Sequence, residues 1–264
     1  MCRSRAGSTV RHATRNASVV LGAALWLLGD GTAEADFKIF APDVSQGEIS
    51  VETVGNAGFD PDPELNGARS YTAEFGYGVT RWWKAEVEFQ FDREAAATGG
   101  TSLARITSEN TFQFTAPGQY WLDAGFFAEY AQSVLAGDPN EATLGPLLRK
   151  QFWGLTNTVN LFLQKDFGAH APGPAQFVWA WETRVDALQA WFGDRFTVEP
   201  GFQYYGEPAE TGSGRDNRIG PQLFGTVAHL GPGSLEWNAG FLIGLGAPAA
   251  KFTPRWEFEY DLEF

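Results

Sequence analysis

Apolar and acidic side chains alternate over the last nine residues of the chain. Because successive side chains of a β-strand point to opposite faces, this alternation predicts a strand with one apolar and one acidic face. The apolar positions are Trp256, Phe258, Tyr260, Leu262 and Phe264, and the acidic ones are Glu257, Glu259, Asp261 and Glu263. The chain is therefore expected to end in a sheet whose two sides meet different surroundings.

The same period of two recurs upstream, for example over residues 71–79 and 83–91. It predicts twelve strands, at residues 47–55, 70–79, 82–92, 104–115, 119–131, 144–153, 155–167, 176–187, 194–206, 217–229, 234–246 and 251–264. The first and sixth segments carry the weakest pattern, so ten or fourteen strands stay open as alternatives. Pro200 and Pro221 fall inside predicted strands and predict bulges or misplaced boundaries, because proline cannot donate to a strand ladder.

The connections between these segments alternate in length. Long connections such as 56–69 and 132–143 are followed by tight turns such as those near 80–81 and 153–154, although the connection at 247–250 is shorter than the rule requires. Long loops on one side and tight turns on the other are typical of outer-membrane barrels. The predicted fold is all-β, a closed antiparallel transmembrane β-barrel of about twelve strands.

The first 35 residues are predicted to be a cleavable signal peptide. Arginines precede a short apolar run at 18–29, and small residues flank Glu34 at the expected cleavage site after Ala35. The apolar run is too short to span a bilayer as a helix, although an uncleaved anchor stays open. Residues 36–264 are then a single barrel domain.

Charge and cysteine content narrow the function classes. Beyond residue 35 the chain has no cysteine, which excludes a disulfide framework and a cysteine–zinc site there. It carries 15 basic and 30 acidic side chains, a net charge of −15. So acidic a chain is not expected to bind nucleic acid by charge.

The signal peptide and the many aromatic residues predict that the apolar face meets lipid and the charged face lines a lumen. The expected location is therefore the outer membrane of a Gram-negative cell. The residues predicted to line the lumen are Glu74, Lys84, Glu86, Glu88, Arg105, Glu109, Asp123, Glu182, Arg184, Arg195, Glu199, Arg218, Glu257, Glu259 and Asp261.

An excess of acids on the lumen face predicts a channel for passive passage of small solutes, cationic or neutral. The alternative is a braced barrel, in which acids and arginines pair across the lumen and hold it shut. The expected partners are outer-membrane lipid and small-molecule solutes. Neither a cofactor nor a metal site is predicted, and the acidic stretch 60–64 is interpreted as a solvated turn without the spacing of a calcium loop.

A hydrolase is the less favoured alternative. Beyond the predicted leader the chain has only two histidines, His170 in a loop and His229 at a strand end. Neither has a serine two residues away on the same strand face, as a Ser–His pair on an outer wall would need. We therefore predict that the protein is not an enzyme.

Two resemblances support this interpretation. The C-terminal strand, with its alternating apolar residues and terminal Phe264, resembles the signal that the outer-membrane barrel assembly machinery reads. That machinery is therefore an expected partner. In addition, residues 47–52, 74–80 and 84–88 are similar to segments of transporter barrels associated with phenol-degradation pathways. This second resemblance implies passage of hydrophobic solutes or other small molecules and assigns no functional residue.

Overall fold

The computed structural model describes residues 37–95, 99–168, 173–208 and 215–262. The predicted leader, His170 and Phe264 lie outside these residues. Within them, no helix is long and apolar enough to cross a membrane.

Thirteen strands lie in the described residues and form the wall of the molecule, one more than the alternating pattern predicts. They are β1 Ile49–Ala57, β2 Arg69–Thr80, β3 Trp83–Arg93, β4 Ser102–Gln113, β5 Asp123–Ser133, β6 Asn140–Phe152, β7 Leu155–Phe167, β8 Gln176–Arg184, β9 Ala190–Phe192, β10 Phe196–Pro208, β11 Arg215–Leu230, β12 Gly233–Gly244 and β13 Phe252–Leu262. Every pairing is antiparallel between neighbours, and β1 pairs with both β2 and β13. The sheet is therefore closed.

The short strand β9 continues the position of β8 and does not add a thirteenth place to the barrel. Both strands pair with β10, β8 with residues 201–206 and β9 with residues 196–198. A turn of 3-10 helix at Asp186–Leu188 separates them. The barrel thus has twelve strand positions, and the predicted fold is confirmed.

Pro200 faces this interruption. Its carbonyl accepts a hydrogen bond from the backbone N–H of Val185, just past the end of β8. The irregularity that proline predicts is therefore present, but it lies in the neighbouring strand: β10 keeps a continuous register with β11 through Pro200.

Connection lengths divide the barrel into a turn side and a loop side. Two-residue turns at 81–82, 153–154 and 231–232 lie on the turn side, and the longer connection 58–68 lies on the loop side. One predicted boundary is wrong on the turn side: β5 begins at Asp123, so the connection 114–122 is longer than the tight turn expected near 117–118. That segment has its own bonds, including Gly118 N–H donating to Asp123 at 2.7 Å.

The two faces of the wall differ in the direction that the sequence predicts. Large apolar side chains such as Phe75, Leu163 and Leu223 are about half exposed on the outside. Charged side chains such as Glu74 and Glu109 are almost fully buried inside. A soluble barrel has the opposite arrangement.

Candidate functional site

Residues 37–48 run from inside the loop-side half of the barrel down to the rim on the turn side, where β1 begins. We call them the inner segment. Its first residue, Phe37, packs edge-to-face on Tyr205 with ring centroids 5.1 Å apart, and Leu242 lies in the same cluster. The Tyr205 hydroxyl donates to the Phe37 carbonyl at 3.0 Å. The inner segment therefore occupies space that an open pore would leave to water.

Lys38 lies against the acidic side of the wall. Its Nζ is 2.9 Å from Glu52, 3.7 Å from Glu109 and hydrogen-bonded to Glu74. These glutamates come from β1, β4 and β2, so one ammonium joins three strands. Each of these carboxylates is an opposite charge close to the ammonium, which favours the charged form of Lys38.

Phe40 lies against the apolar side of the wall, which β5, β6 and β7 provide. Its ring centroid is 4.0 Å from that of Phe127, and the Phe127 and Phe162 centroids are 5.2 Å apart. Leu147 completes the cluster. Asn160, fully buried, bonds the backbone of Phe40 twice: its side chain accepts from the N–H and donates to the carbonyl, both at 2.8 Å.

Small residues in the wall make room for the lower part of the inner segment. A Cβ at Gly125 would lie 2.9 Å from Pro42, and one at Gly78 would lie 1.9 Å from the carbonyl oxygen of Ser45. The Arg149 guanidinium forms a bidentate contact with the Asp43 carboxylate. The segment is thus bonded to the wall along its length and not merely enclosed.

The inner segment separates two cavities. The loop-side cavity has a volume of about 780 Å³, and the turn-side cavity about 270 Å³. Lys38 and Phe40 line both. These two residues therefore lie between the two cavities.

Most of the predicted lumen residues lie in these cavities or contact groups inside the barrel. Glu88, Arg105 and Glu109 line the loop-side cavity. The turn-side cavity is lined by Lys84, Glu86, Arg184, Glu257, Glu259 and Asp261. Glu74 and Glu109 also contact Lys38.

The other five are placed as follows. Asp123 is 3.6 Å from Arg149, and Arg218 lies over the Phe37 ring at 4.8 Å. Glu182 and Glu199 lie on either side of Arg184, at 2.7 and 4.0 Å. Arg195 differs from the prediction: it is exposed on the turn between β9 and β10 and lines neither cavity. Strand β10 begins one residue later, at Phe196, so Arg195 lies before the alternation that would point it inward.

A chain of polar contacts also crosses from β13 to β8. The Arg255 guanidinium donates to Gln203 and Glu257, each at 2.7 Å. Gln203 in turn donates to Glu182 at 2.7 Å, and Glu182 accepts from Arg184. Ion pairing inside the barrel, which the braced alternative requires, is therefore present in this half of the wall.

Three buried carboxylates near Lys38, those of Glu74, Glu88 and Glu109, have oxygens within 4.8 Å of one another. Two of them already face the Lys38 ammonium, which supplies a positive charge to the group. The acidic stretch 60–64 forms local turns, with Asp62 N–H donating to Asp60 at 2.7 Å. Neither feature adds an argument for a metal.

The predicted assembly strand has the expected faces. Trp256 packs near Tyr71 on the outside with ring centroids 5.8 Å apart, and Phe258 is 40% exposed. The Tyr260 hydroxyl donates to the Leu230 carbonyl at 2.6 Å. Leu262 ends β13, and Phe264 lies outside the described residues. Recognition by the assembly machinery stays a prediction.

His229, the histidine of the hydrolase alternative that the structure describes, is the next-to-last residue of β11, on the turn side. Its φ of +54° belongs to the left-handed region that few non-glycine residues adopt. This backbone leads into the turn at 231–232 and accompanies a register shift between Val227 and Leu230. The backbone conformation of His229 is therefore that of a turn residue. The absence of enzymatic activity stays a prediction.

The inner segment itself is what the sequence reasoning missed. Two signals could have found it. The stretch Phe37–Phe40 contains three apolar residues before the first strand, and Phe127, Leu147 and Phe162 lie on the face assigned to a polar lumen. Apolar side chains on a lumen face need a cover, and the residues before β1 can supply it.

No family model matches the chain, and no curated protein matches it. Among solved structures, it is similar to the translocator domain of autotransporter NalP from Neisseria meningitidis, with 12% identity, a TM-score of 0.49, and coverage of 83% of this chain and 89% of that one. It is also similar to the NanC porin, with 10% identity, a TM-score of 0.49, and coverage of 82% and 100%.

A BenF-like porin from Pseudomonas fluorescens has 13% identity, a TM-score of 0.38, and coverage of 81% of this chain and 64% of that one. These three structures are described as a translocator domain and two porins, and similarities this low give no information about substrate or mechanism. The resemblance to barrels near phenol-degradation pathways stays a prediction.

Proposed function

We propose that the protein is an outer-membrane channel for passive passage of small cationic or neutral solutes, constricted from within by residues 37–48. The observation that carries this proposal is the position of the inner segment: cavities of about 780 and 270 Å³ lie on its two sides, and Lys38 and Phe40 line both. A barrel with twelve strand positions is wider than the eight-stranded kind that side chains alone can fill.

The outer-membrane location rests on the two faces of the wall. An exposed apolar outside and a buried polar inside would be unfavourable in water and are favourable in lipid. Aromatic residues at the turn side, such as Trp82, Trp121 and Trp153, are 55–92% exposed. Such rings are typical of the boundary between hydrocarbon and headgroups.

The preference for cations rests on the charges that face the two cavities. The loop-side cavity is lined by nine acidic and three basic side chains, and the turn-side cavity by eight and three. Acidic walls attract cations and repel anions, most strongly where the surroundings exclude water.

The braced barrel is the second candidate, and the polar chain from Arg255 to Arg184 favours it. The two candidates differ in one respect: a braced barrel carries no current. Planar-bilayer recording on the refolded chain from residue 36 separates them. We expect discrete conductance steps. Under a salt gradient, we expect a reversal potential whose sign shows that cations pass more readily than anions.

Paired variants test the source of the selectivity. Glu236→Gln removes a carboxylate of the turn-side cavity, and Glu64→Gln removes one from an exposed loop. We expect the first to move the reversal potential toward zero and the second to leave it unchanged. Anion preference in the wild type would contradict the proposed selectivity. No conductance at any tested salt or voltage would favour the braced barrel.

A further inference from the structure

The loop-side cavity combines an aromatic floor with an acidic wall. Its floor is formed by Phe40, Phe127 and Phe162, with Val178 packed against the same cluster. Glu129 lies two residues beyond Phe127 on the same face of β5 and lines the wall above the floor. One ligand could therefore touch an apolar surface and a carboxylate at once.

The chain already places one ammonium in such surroundings. Nζ of Lys38 lies 4.8 Å from the centre of the Phe40 ring while it contacts Glu52 and Glu74. An ammonium over an aromatic face is attracted by the negative charge of the ring face, and the attraction grows as water is excluded. Phe40 also lines the loop-side cavity, so the same aromatic cluster and further carboxylates face it.

We propose that the loop-side cavity binds organic cations that carry an ammonium group on a small apolar body. This rests on the proposed function, because the cavity is taken as the loop-side half of the solute path. The volume of about 780 Å³ lies in the range of small-molecule sites. The acid excess disfavours anions, and the aromatic floor favours a cation with an apolar body over a bare metal ion.

Three probes of nearly the same shape test the proposal: benzylammonium, benzyl alcohol and benzoate. Binding to the refolded chain from residue 36, in a zwitterionic detergent, is followed by ligand-detected NMR with empty micelles as the blank. We expect benzylammonium to bind at least about threefold more tightly than benzyl alcohol, and benzoate to bind most weakly. Equal binding of the alcohol and the ammonium, or no binding of the ammonium, would overturn the proposal.

A matched pair of variants locates the site. Glu129→Gln changes the loop-side cavity, and Glu236→Gln makes the same change in the turn-side cavity. We expect the first to weaken benzylammonium binding about threefold and the second to leave it unchanged. Equal effects would overturn the assignment to the loop side. Binding is measured without any current, so the two proposals can fail separately. A chain that conducts but does not bind benzylammonium contradicts this inference alone. A chain that binds benzylammonium but does not conduct contradicts the channel proposal alone.

Discussion

The two sides of the barrel interior hold the inner segment by different means. On one side, carboxylates from β1, β2 and β4 surround the Lys38 ammonium. On the other, rings from β5 and β7 pack against Phe40. The apolar contact stabilises wherever it forms, since removing apolar surface from water is favourable in itself. The ionic contact stabilises only while both charges are present, because each carries a desolvation cost.

This difference assigns the two sides different roles. Apolar packing attaches the inner segment to the wall, but it is non-directional and does not by itself fix the register of the segment. The carboxylates around Lys38 fix its position, because a displaced ammonium would leave buried charges uncompensated. The predictions below remove the contacts on one side at a time, beginning with the change expected to have the largest effect.

Lys38→Met removes the ionic contact between the inner segment and the acidic side of the wall. It keeps an unbranched side chain of similar length but leaves buried carboxylates without their ammonium. We expect the free energy of unfolding to fall by about 3–5 kcal/mol, measured by denaturant titration of the refolded barrel in detergent. Lys251→Met, at an exposed position, is the control and should change little. Equal effects of the two variants would show that Lys38 is not bound in the interior.

Phe40→Ala breaks the apolar side. Because the Phe40 ring is only half-buried, we expect a loss of about 2 kcal/mol in the same titration, below the range for fully buried rings. Phe75→Ala removes an outward-facing ring of the same size and should cost less. A larger loss at Phe75 than at Phe40 would contradict the packing of the inner segment against β5 and β7.

Asp43→Asn tests the rim, where the inner segment leaves the interior. Asp43 and Arg149 are paired but partly exposed, with 39% and 19% of their side-chain surface accessible. Exposed ion pairs contribute little, so we expect a loss below about 1 kcal/mol. A loss as large as that of Lys38→Met would mean that the rim, and not the acidic side, fixes the segment.

Much of the wall could be predicted from the sequence. The alternation over residues 83–91 and 256–262 is strict because each strand has an apolar outer face and a polar inner face, and β3 and β13 have the predicted faces. Strand ends were less certain. The break after Arg184 could not be predicted from β8 alone. It lies opposite Pro200 of the neighbouring strand, and the alternation within β8 gives little sign of it.

The candidate site was harder to predict because it depends on contacts far apart in sequence. Glu52, Glu74 and Glu109 were identifiable as inward by register, but nothing local shows that Lys38 bonds them. The same holds for Asn160, whose partner Phe40 is 120 residues away. Alternation reports which face a side chain is on. It does not report which chain segment covers that face.

The conductance of a chain that lacks residues 37–44 tests the central claim most directly. This variant removes Lys38, Phe40 and Asp43 but keeps Gly47 and the whole of β1. We compare its unit conductance with that of the full chain from residue 36, after heat-modifiable gel migration has shown that both are folded barrels. If the inner segment constricts the lumen, the shortened chain has the larger unit conductance. Equal unit conductance in the two folded chains would contradict a constriction at Lys38 and Phe40.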